Sequence, residues 1–300
     1  MKSTQSLDLG FAQIPVLRAC GANPGRTLVV TANIHGDEYE GVRAVMETFQ
    51  EIDVSVLSGE LIAVPVANPP AFWNGTRSSP LDGKNLARVF PGDPDGTPTE
   101  RTAWALAHDI IAKADFYLDL HSGGVKWRMP SMVGYDASDP HSREAALAFG
   151  APVVWGHPEI AEGRTVSFAK SRKIPFLYTE ARGAGRIADD DLAMMKRGIR
   201  NLLRHLSMLP GEMERLPLEW HLFGEGNIER GINCPTRGFF IPYVDLLERV
   251  RRDQPIGRLV DVFGATIDTF HAPCDGVVGL RREFPVVEQG EPLFLIAGEL

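Results

Sequence analysis

The stretch "NIHGDEYEG", from Asn33 to Gly41, places one histidine and three acidic residues within six positions. It directly follows the apolar run "TLVV", which is typical of a buried strand. His35 is then expected in the turn at the carboxyl end of that strand, and Glu38 in the first turn of the next helix. Because three residues make roughly one helical turn, both side chains can face one point. Imidazole and carboxylate are common zinc ligands, so the stretch is half of a candidate metal site.

A second histidine, His121, follows another apolar run in "DFYLDLHSGG". A catalytic zinc takes three protein ligands and keeps one position open for water, and His35, Glu38 and His121 supply such a set for one zinc per chain. Asp119 lies on the same strand face as His121, either as a carboxylate that orients this ligand or as a structural acid. The alternative for the first stretch is a polar turn that begins a helix, because acidic residues suit a helix N-terminus.

The elements that must position these residues alternate between strand and helix patterns. Strands are predicted at 27–33, 59–68, 115–121 and 174–181, and helices at 39–52, 99–114 and 189–207, with Thr99 as the N-cap of the second helix. This alternation predicts an α/β fold, with a mostly parallel or mixed sheet and helices on both faces. The long segment between Asn68 and Thr99 is rich in Pro, Gly, Asn and Asp, and we expect an ordered, functional loop there.

The pattern changes near residue 216, where short apolar runs separated by turns replace the helices. We therefore predict a catalytic α/β domain at 1–215 and a small β-rich domain at 216–300. The latter resembles a lipoyl or biotinyl carrier fold, an all-β barrel-sandwich. No lysine follows Lys196, so the carrier lysine is missing and a structural role is expected.

Composition excludes several classes of protein. The formal net charge of −8 disfavours nucleic-acid binding, which needs clustered Lys and Arg. No apolar run is long enough to span a bilayer, and the first residues lack a secretion-signal pattern. Three distant cysteines argue against a disulfide framework, so a cytoplasmic protein is expected. The oligomeric state, including a homo-oligomer, stays open.

The order and context of four motifs resemble the succinylglutamate desuccinylase/aspartoacylase family, within the zinc carboxypeptidase-like superfamily. The motifs are "NIHGDEYEG", "NGTRSSPLDGKNLARVFPG", "DLHSGG" and "FLYTEARG", and the resemblance covers roughly residues 28–206. The β-rich tail is similar to that of larger members, including deacetylases of N-acetyl-diaminobutyrate. The resemblance implies a zinc carboxypeptidase-like fold and a zinc cofactor.

The resemblance also implies a role for each matching residue. His35, Glu38 and His121 match the zinc ligands, Glu180 the general base, Arg77 the arginine that stabilises the oxyanion, and Arg88 the arginine that grips the substrate carboxylate. The family usually has an asparagine where this sequence has Ala87, so that either Asn85 or another group compensates in substrate binding, or the substrate differs. From sequence alone, Glu180 could instead pair with Arg182 or Arg186. Arg77 and Arg88 could each be a solvated loop cation.

These residues favour a zinc-dependent amidohydrolase, a deacylase acting on a small N-acyl amino acid or related N-acyl compound. A zinc metallocarboxypeptidase acting on peptides would share the metal chemistry and is the alternative enzyme. A binding protein with a relic site is a third reading, which the retention of all three ligands and Glu180 disfavours.

Overall fold

A computed structural model describes all 300 residues and contains eighteen strands and six α-helices. The helices are α1 (Glu40–Glu51), α2 (Pro69–Asn74), α3 (Pro98–Ala105), α4 (Pro140–Phe149), α5 (Thr165–Ser171) and α6 (Asp189–His205). The first nine strands are β1 (Lys2–Asp8), β2 (Gln13–Cys20), β3 (Asn23–Ala32), β4 (Ser58–Val64), β5 (Phe116–Leu120), β6 (Trp127–Arg128), β7 (Met132–Asp136), β8 (Val153–His157) and β9 (Phe176–Glu180). The others are β10 (Trp220–Phe223), β11 (Ile232–Asn233), β12 (Gly238–Pro242), β13 (Arg249–Val250), β14 (Pro255–Val260), β15 (Thr266–His271), β16 (Gly276–Arg282), β17 (Val286–Val287) and β18 (Pro292–Glu299).

Most strands join one 14-stranded mixed sheet in the order β1-β2-β4-β3-β5-β9-β7-β8-β10-β18-β16-β13, to which β11 and β6 attach through β18 and β16. Its centre is parallel from β4 through β3 and β5 to β9. Strand β7 then runs antiparallel to β9, while β8 and β10 are parallel to β7. The predicted α/β fold with a mixed sheet is therefore confirmed.

Helices cover both faces of this sheet, as the sequence predicted. Leu28 and Val30 of β3 pack with α1, α4 and α6 in one core, whereas Val29 packs with α3 and α5 in the other. Successive strand residues point to opposite faces, so a strand buried on both sides must be apolar without alternation. This explains the continuous run "TLVV" before the first candidate ligand.

The predicted elements agree with the structure in place and type, and two details of the second helix were wrong. Thr99 is not the N-cap: the helix begins at Pro98, a residue favoured at the first helical position, and the hydroxyl of Thr99 donates to Asp82 Oδ1 at 2.6 Å. The regular helix also ends at Ala105 and continues as a π-turn and a 3₁₀ turn to Lys113. Strands β1, β2, β7 and β8 and helices α4 and α5 were not predicted.

The residues after 215 contribute to both sheets. Strand β10 extends the large sheet beside β8, and β18 follows it. A separate four-stranded antiparallel sheet has the order β15-β14-β12-β17. Phe240 and Ile256 of this sheet share a core with Val278 and Phe294 of the large one, as expected of two packed β-layers. The division into domains at residue 216 stays a prediction.

None of the helices combines the length and the apolar character that crossing a membrane requires. All three cysteines are free.

The contact between α6 and α4 allows a prediction about the free energy of unfolding. A Cβ on Gly198 would lie 2.0 Å from Phe149 Cζ, closer than van der Waals contact permits. We expect Gly198→Ala to lower the free energy of unfolding by roughly 1–3 kcal/mol, as overpacked cores do, although alanine is the better helix former. Urea denaturation checks this. The control, Ala193→Gly on the exposed face of α6, should cost about 1 kcal/mol through helix propensity alone; a stabilised Gly198→Ala would contradict the assigned contact.

Candidate active site

The two candidate ligand histidines are brought together by neighbouring strands. Strands β3 and β5 are parallel, with Ala32 opposite Leu120, so the residues that follow each strand leave the sheet at the same edge. His35 comes from the turn after β3 and His121 directly follows β5. Ligands in open α/β sheets bind at such carboxyl ends of strands.

The turn between β3 and α1 depends on one residue with a left-handed backbone conformation and on a close contact between Gly36 and α2. Asn33 has φ of 59°, a conformation that asparagine tolerates better than most residues. Its Nδ2 donates to the carbonyls of His35 at 3.0 Å and Glu38 at 2.9 Å. A Cβ on Gly36 would lie 2.1 Å from the carbonyl carbon of Ala71, so only glycine fits beside α2. The "NIHG" sequence therefore sets the direction in which both ligand side chains point.

His35, Glu38 and His121 form a cluster in which one candidate ligand atom from each lies within 4.8 Å of the others. The carboxylate of Glu38 lies between the rings, with Oε1 at 2.8 Å from His35 Nδ1 and Oε2 at 2.9 Å from His121 Nδ1. Glu38 is also held by the backbone N–H of Ser122, which donates to Oε2 at 3.2 Å. The structure thus assembles all three predicted ligands, although they come from two separate segments.

The outer nitrogen of each ring has its own partner. His121 Nε2 lies 2.9 Å from Asp119 Oδ2, and Asp119 is fully buried and also accepts from the hydroxyls of Thr31 and Thr165. His35 Nε2 lies 3.1 Å from Asn85 Oδ1. Asn85, predicted to bind substrate, therefore uses its amide oxygen to orient a ring. Both rings keep Nδ1 for the centre of the cluster, the arrangement that metal-binding histidines adopt.

The electrostatics of the cluster favour a cation at its centre. Burial opposes ionisation of Glu38, but the two histidines outweigh it and hold the pKa of that carboxyl well below its usual range. Burial, aided by the charge of Arg77, lowers the pKa of His35 to about 4, which keeps this imidazole neutral and able to coordinate a metal. Burial also disfavours charge on His121, but Asp119 and Glu38 outweigh it and raise its pKa. Two imidazoles and one carboxylate, each held by an outer partner, fit a zinc ion.

Two further predicted residues lie beside the cluster. Arg77 Nη1 is 3.0 Å from Glu38 Oε1, and its guanidinium carbon is 5.1 Å from the centre of the Trp127 ring. Glu180 ends β9, next to β5, and its enclosed Oε2 has no hydrogen-bond partner. The pairing with Arg182 that the sequence left open does not occur, because Arg182 pairs with Asp190 and Asp191. Burial, followed by the negative charge of Glu38, raises the pKa of Glu180 to about 8.

One cleft contains these groups and the carboxylate-binding candidates. His35, Arg77, Arg88, His121 and Glu180 all line it, together with Ala87. Arg88 is not a free loop cation, because its Nε donates to Glu229 Oε1 at 2.5 Å.

Sequence reasoning missed two residues that line this cleft and the acidic partner of Arg88. Arg164 lines it and forms no salt bridge, since its guanidinium donates to Asn227 Oδ1 at 2.8 Å and to the carbonyl of Glu162 at 3.2 Å. Burial and then the charge of Arg88 lower the pKa of Arg164 to about 10. Glu229 and Trp127 are the others. No local pattern indicates any of them, because each reaches its position only through long-range packing.

Known proteins resemble the chain in sequence. The chain matches the family model of the succinylglutamate desuccinylase/aspartoacylase catalytic domain over residues 24–206. It is 33% identical to an N-alpha-acetyl-L-2,4-diaminobutyric acid deacetylase of Halomonas elongata, over 96% of this chain and 86% of the relative.

Solved structures are similar over nearly the whole chain. A succinylglutamate desuccinylase from Silicibacter sp. TM1040 has a TM-score of 0.88 at 29% identity, covering 100% of this chain and 93% of the other. The product-bound ectoine utilization protein EutE (DoeB) from Ruegeria pomeroyi also has a TM-score of 0.88, at 28% identity, covering 99% and 94%. The family match spans more than half of the chain and contains every candidate ligand. The chain therefore belongs to the succinylglutamate desuccinylase/aspartoacylase family.

Proposed function

We propose that this protein is a zinc-dependent amidohydrolase that removes the acyl group from a small N-acyl amino acid. The observation that carries the proposal is the cluster of His35, Glu38 and His121, whose two histidines line one cleft with Glu180 and Arg77. A carboxylate without a hydrogen-bond partner, beside a three-ligand cluster, can act as the general base in metal-assisted hydrolysis. Family membership and the deacetylase relative support hydrolysis of an amide.

His35, Glu38 and His121 would hold the ion, and Asp119 and Asn85 would orient the two rings. When bound, zinc supplies Lewis-acid activation of water and of the acyl carbonyl. Glu180 accepts the proton of the attacking water and passes it to the nitrogen of the leaving amine. Its raised pKa suits this exchange, because a group that titrates near neutral pH can both take and release a proton.

Arg77 donates hydrogen bonds to the oxygen on which negative charge develops as water adds to the carbonyl. A guanidinium already fixed at the cleft wall stabilises that charge without reorganisation. Its contact with Glu38, one of the proposed metal ligands, supports this role.

Arg164 and Arg88 are the groups that would bind the substrate carboxylate. Arg164 has no acidic partner and can offer a guanidinium fork, whereas Arg88 is already balanced by Glu229. The C-terminal part of the chain, residues 216–300, also lines the cleft, through Asn227, Ile228 and Leu295. These residues narrow the space for a substrate, which favours a small compound over a peptide. The relative from Halomonas elongata makes an N-acetylated diamino acid the first compound to test.

The metal site makes the first functional prediction. We expect one zinc per chain by elemental analysis after reconstitution, and none in the His35→Ala/His121→Ala double variant. Asp119→Asn should weaken zinc affinity roughly 10- to 100-fold, because the partner of His121 Nε2 loses its charge. The control with the same charge change is Asp95→Asn in an exposed loop, which should bind zinc normally. Wild-type protein that retains no zinc would contradict the proposed cofactor.

The reaction itself is tested with acetyl-, succinyl- and formyl-amino acids, N-acetyl-diaminobutyrate and short peptides, using the zinc-loaded protein. We expect release of free amine from at least one N-acyl amino acid and faster turnover of it than of any peptide. Glu180→Gln should retain zinc and lose on the order of a hundred- to ten-thousand-fold in kcat. Preferred hydrolysis of peptides would favour the carboxypeptidase alternative, and near wild-type turnover of Glu180→Gln would remove the general-base assignment.

The two arginines should differ in their effect on KM. Arg164→Ala removes an unpaired guanidinium, so we expect KM for an N-acyl amino acid to rise roughly tenfold to a hundredfold, the worth of a charged hydrogen bond. Arg88→Ala should raise KM less, because Glu229 already offsets its charge. Arg172→Ala, at the exposed end of α5, is the control. Steady-state kinetics check which variant raises KM more. A larger rise for Arg88→Ala than for Arg164→Ala would make Arg88 the main carboxylate-binding residue.

A further inference from the structure

The segment that follows His121 is held by the C-terminal part of the chain. Gly123 N donates to the carbonyl of Ala181 at 3.0 Å, and Trp127 N donates to that of Gly123 at 3.1 Å, which closes a loop behind the candidate ligand. The chain then forms β6, whose Trp127 and Arg128 pair with Arg282 and Arg281 of β16. Trp127 is 7% exposed and lines the cleft. The loop that carries one candidate ligand is thus anchored on the edge of a C-terminal strand.

The indole of Trp127 lies against two guanidinium groups. The guanidinium carbon of Arg77 is 5.1 Å from the ring centre and that of Arg282 is 5.3 Å from it. Both distances are within the range at which a cation is attracted to the negative face of an aromatic ring. Arg77 belongs to the cleft, whereas Arg282 is 1% exposed.

Hydrogen bonds from the C-terminal part fix the position of this ring. The indole Nε1 donates to the carbonyl of Pro292 at 2.9 Å. Arg282 donates to the carbonyls of Phe284 at 2.7 Å and Val286 at 2.8 Å, and to Glu291 at 2.9 Å. The ring therefore cannot shift without disturbing these partly buried hydrogen bonds.

Arg77, by contrast, lies on a segment without regular secondary structure, between α2 and the 3₁₀ turn at Leu86–Arg88. Its long side chain has many rotamers, and an oxyanion donor works only when it is held in place beforehand. Glu38 is one contact, but that carboxylate also contacts both histidines. The indole face is the second contact, and it is made without a hydrogen-bond acceptor.

We infer that Trp127 is a positioning residue, which holds the guanidinium of Arg77 at the reacting carbonyl and thereby couples the C-terminal part to catalysis. This inference rests on the proposed function, in which Arg77 stabilises the oxyanion. Trp127 acts through the ring face and the donor to Pro292, and it exchanges no proton with substrate.

Fluorination of the ring provides the sharpest test. Mono-, di- and trifluorotryptophan at position 127 weaken the negative face of the ring while nearly preserving its shape and its N–H. With zinc-loaded protein and the N-acyl amino acid that the wild type hydrolyses best, we expect kcat to fall stepwise, to roughly a tenth in total, with KM within twofold. Zinc content and the melting temperature should stay unchanged. A constant kcat along the series would overturn the inference.

Conventional variants supply a second measurement. Trp127→Leu should lower kcat roughly tenfold, and Trp127→Phe, which retains a ring face, should recover most of the loss. In an Arg77→Ala background, Trp127→Leu should change kcat less than twofold, because the group that it positions is absent. Trp104→Leu, which removes a ring stacked on His108 away from the cleft, is the control. Multiplicative losses in the double variant, or equal losses for Phe and Leu, would overturn the inference.

A binding measurement does not depend on turnover. Calorimetry should give a roughly tenfold weaker Kd of Trp127→Leu for a phosphonamidate that mimics the tetrahedral intermediate, with an unchanged Kd for the amino acid product. Equal weakening of both would indicate a general loss of structure and contradict a positioning role. A wild type that hydrolyses no N-acyl amino acid contradicts the proposed function. A hydrolytic wild type, with kcat losses that multiply in the Arg77→Ala/Trp127→Leu double variant, contradicts only the role of Trp127.

Discussion

The carboxylate of Glu38 is the interaction on which the rest of the site depends. It contacts the inner nitrogens of His35 and His121, accepts from the backbone of Ser122 and pairs with Arg77. A buried anion is stable only when its partners are fixed around it. The parallel pairing of β3 and β5 supplies this fixity, because it brings two distant segments to one carboxylate at the edge of the sheet.

The surroundings of the cluster extend this constraint outward. Asp119 and Asn85 orient the rings from outside, and the threonines on Asp119 come from β3 and α5. Such a layered arrangement leaves the side chains of His35 and His121 little rotamer freedom, which lowers the entropic cost of holding them in one geometry. The geometry of the cluster therefore depends on the strands that align His35 and His121 as well as on the two residues themselves.

The C-terminal part is more than a cover for the cleft. It continues the large sheet through β10 and β18, and it supplies Glu229 to Arg88 and an anchor to Trp127. Contacts of this kind connect the loop that follows His121 to residues that line the cleft. The lysine-free residues after 215 therefore contribute contacts within the chain.

The sequence by itself determined the local features: the apolar runs before His35 and His121, the helical spacing of α1 and α6, and the ligand types that predict zinc. These depend on residues close in the chain, where periodicity and turn chemistry act directly. Only the tertiary structure decided that Asn85 orients His35, that Glu229 pairs with Arg88, that Arg164 faces the cleft and that Trp127 lies on Arg77. Each of these features depends on segments that are far apart in sequence and meet only in the folded chain, so no local sequence pattern predicts them.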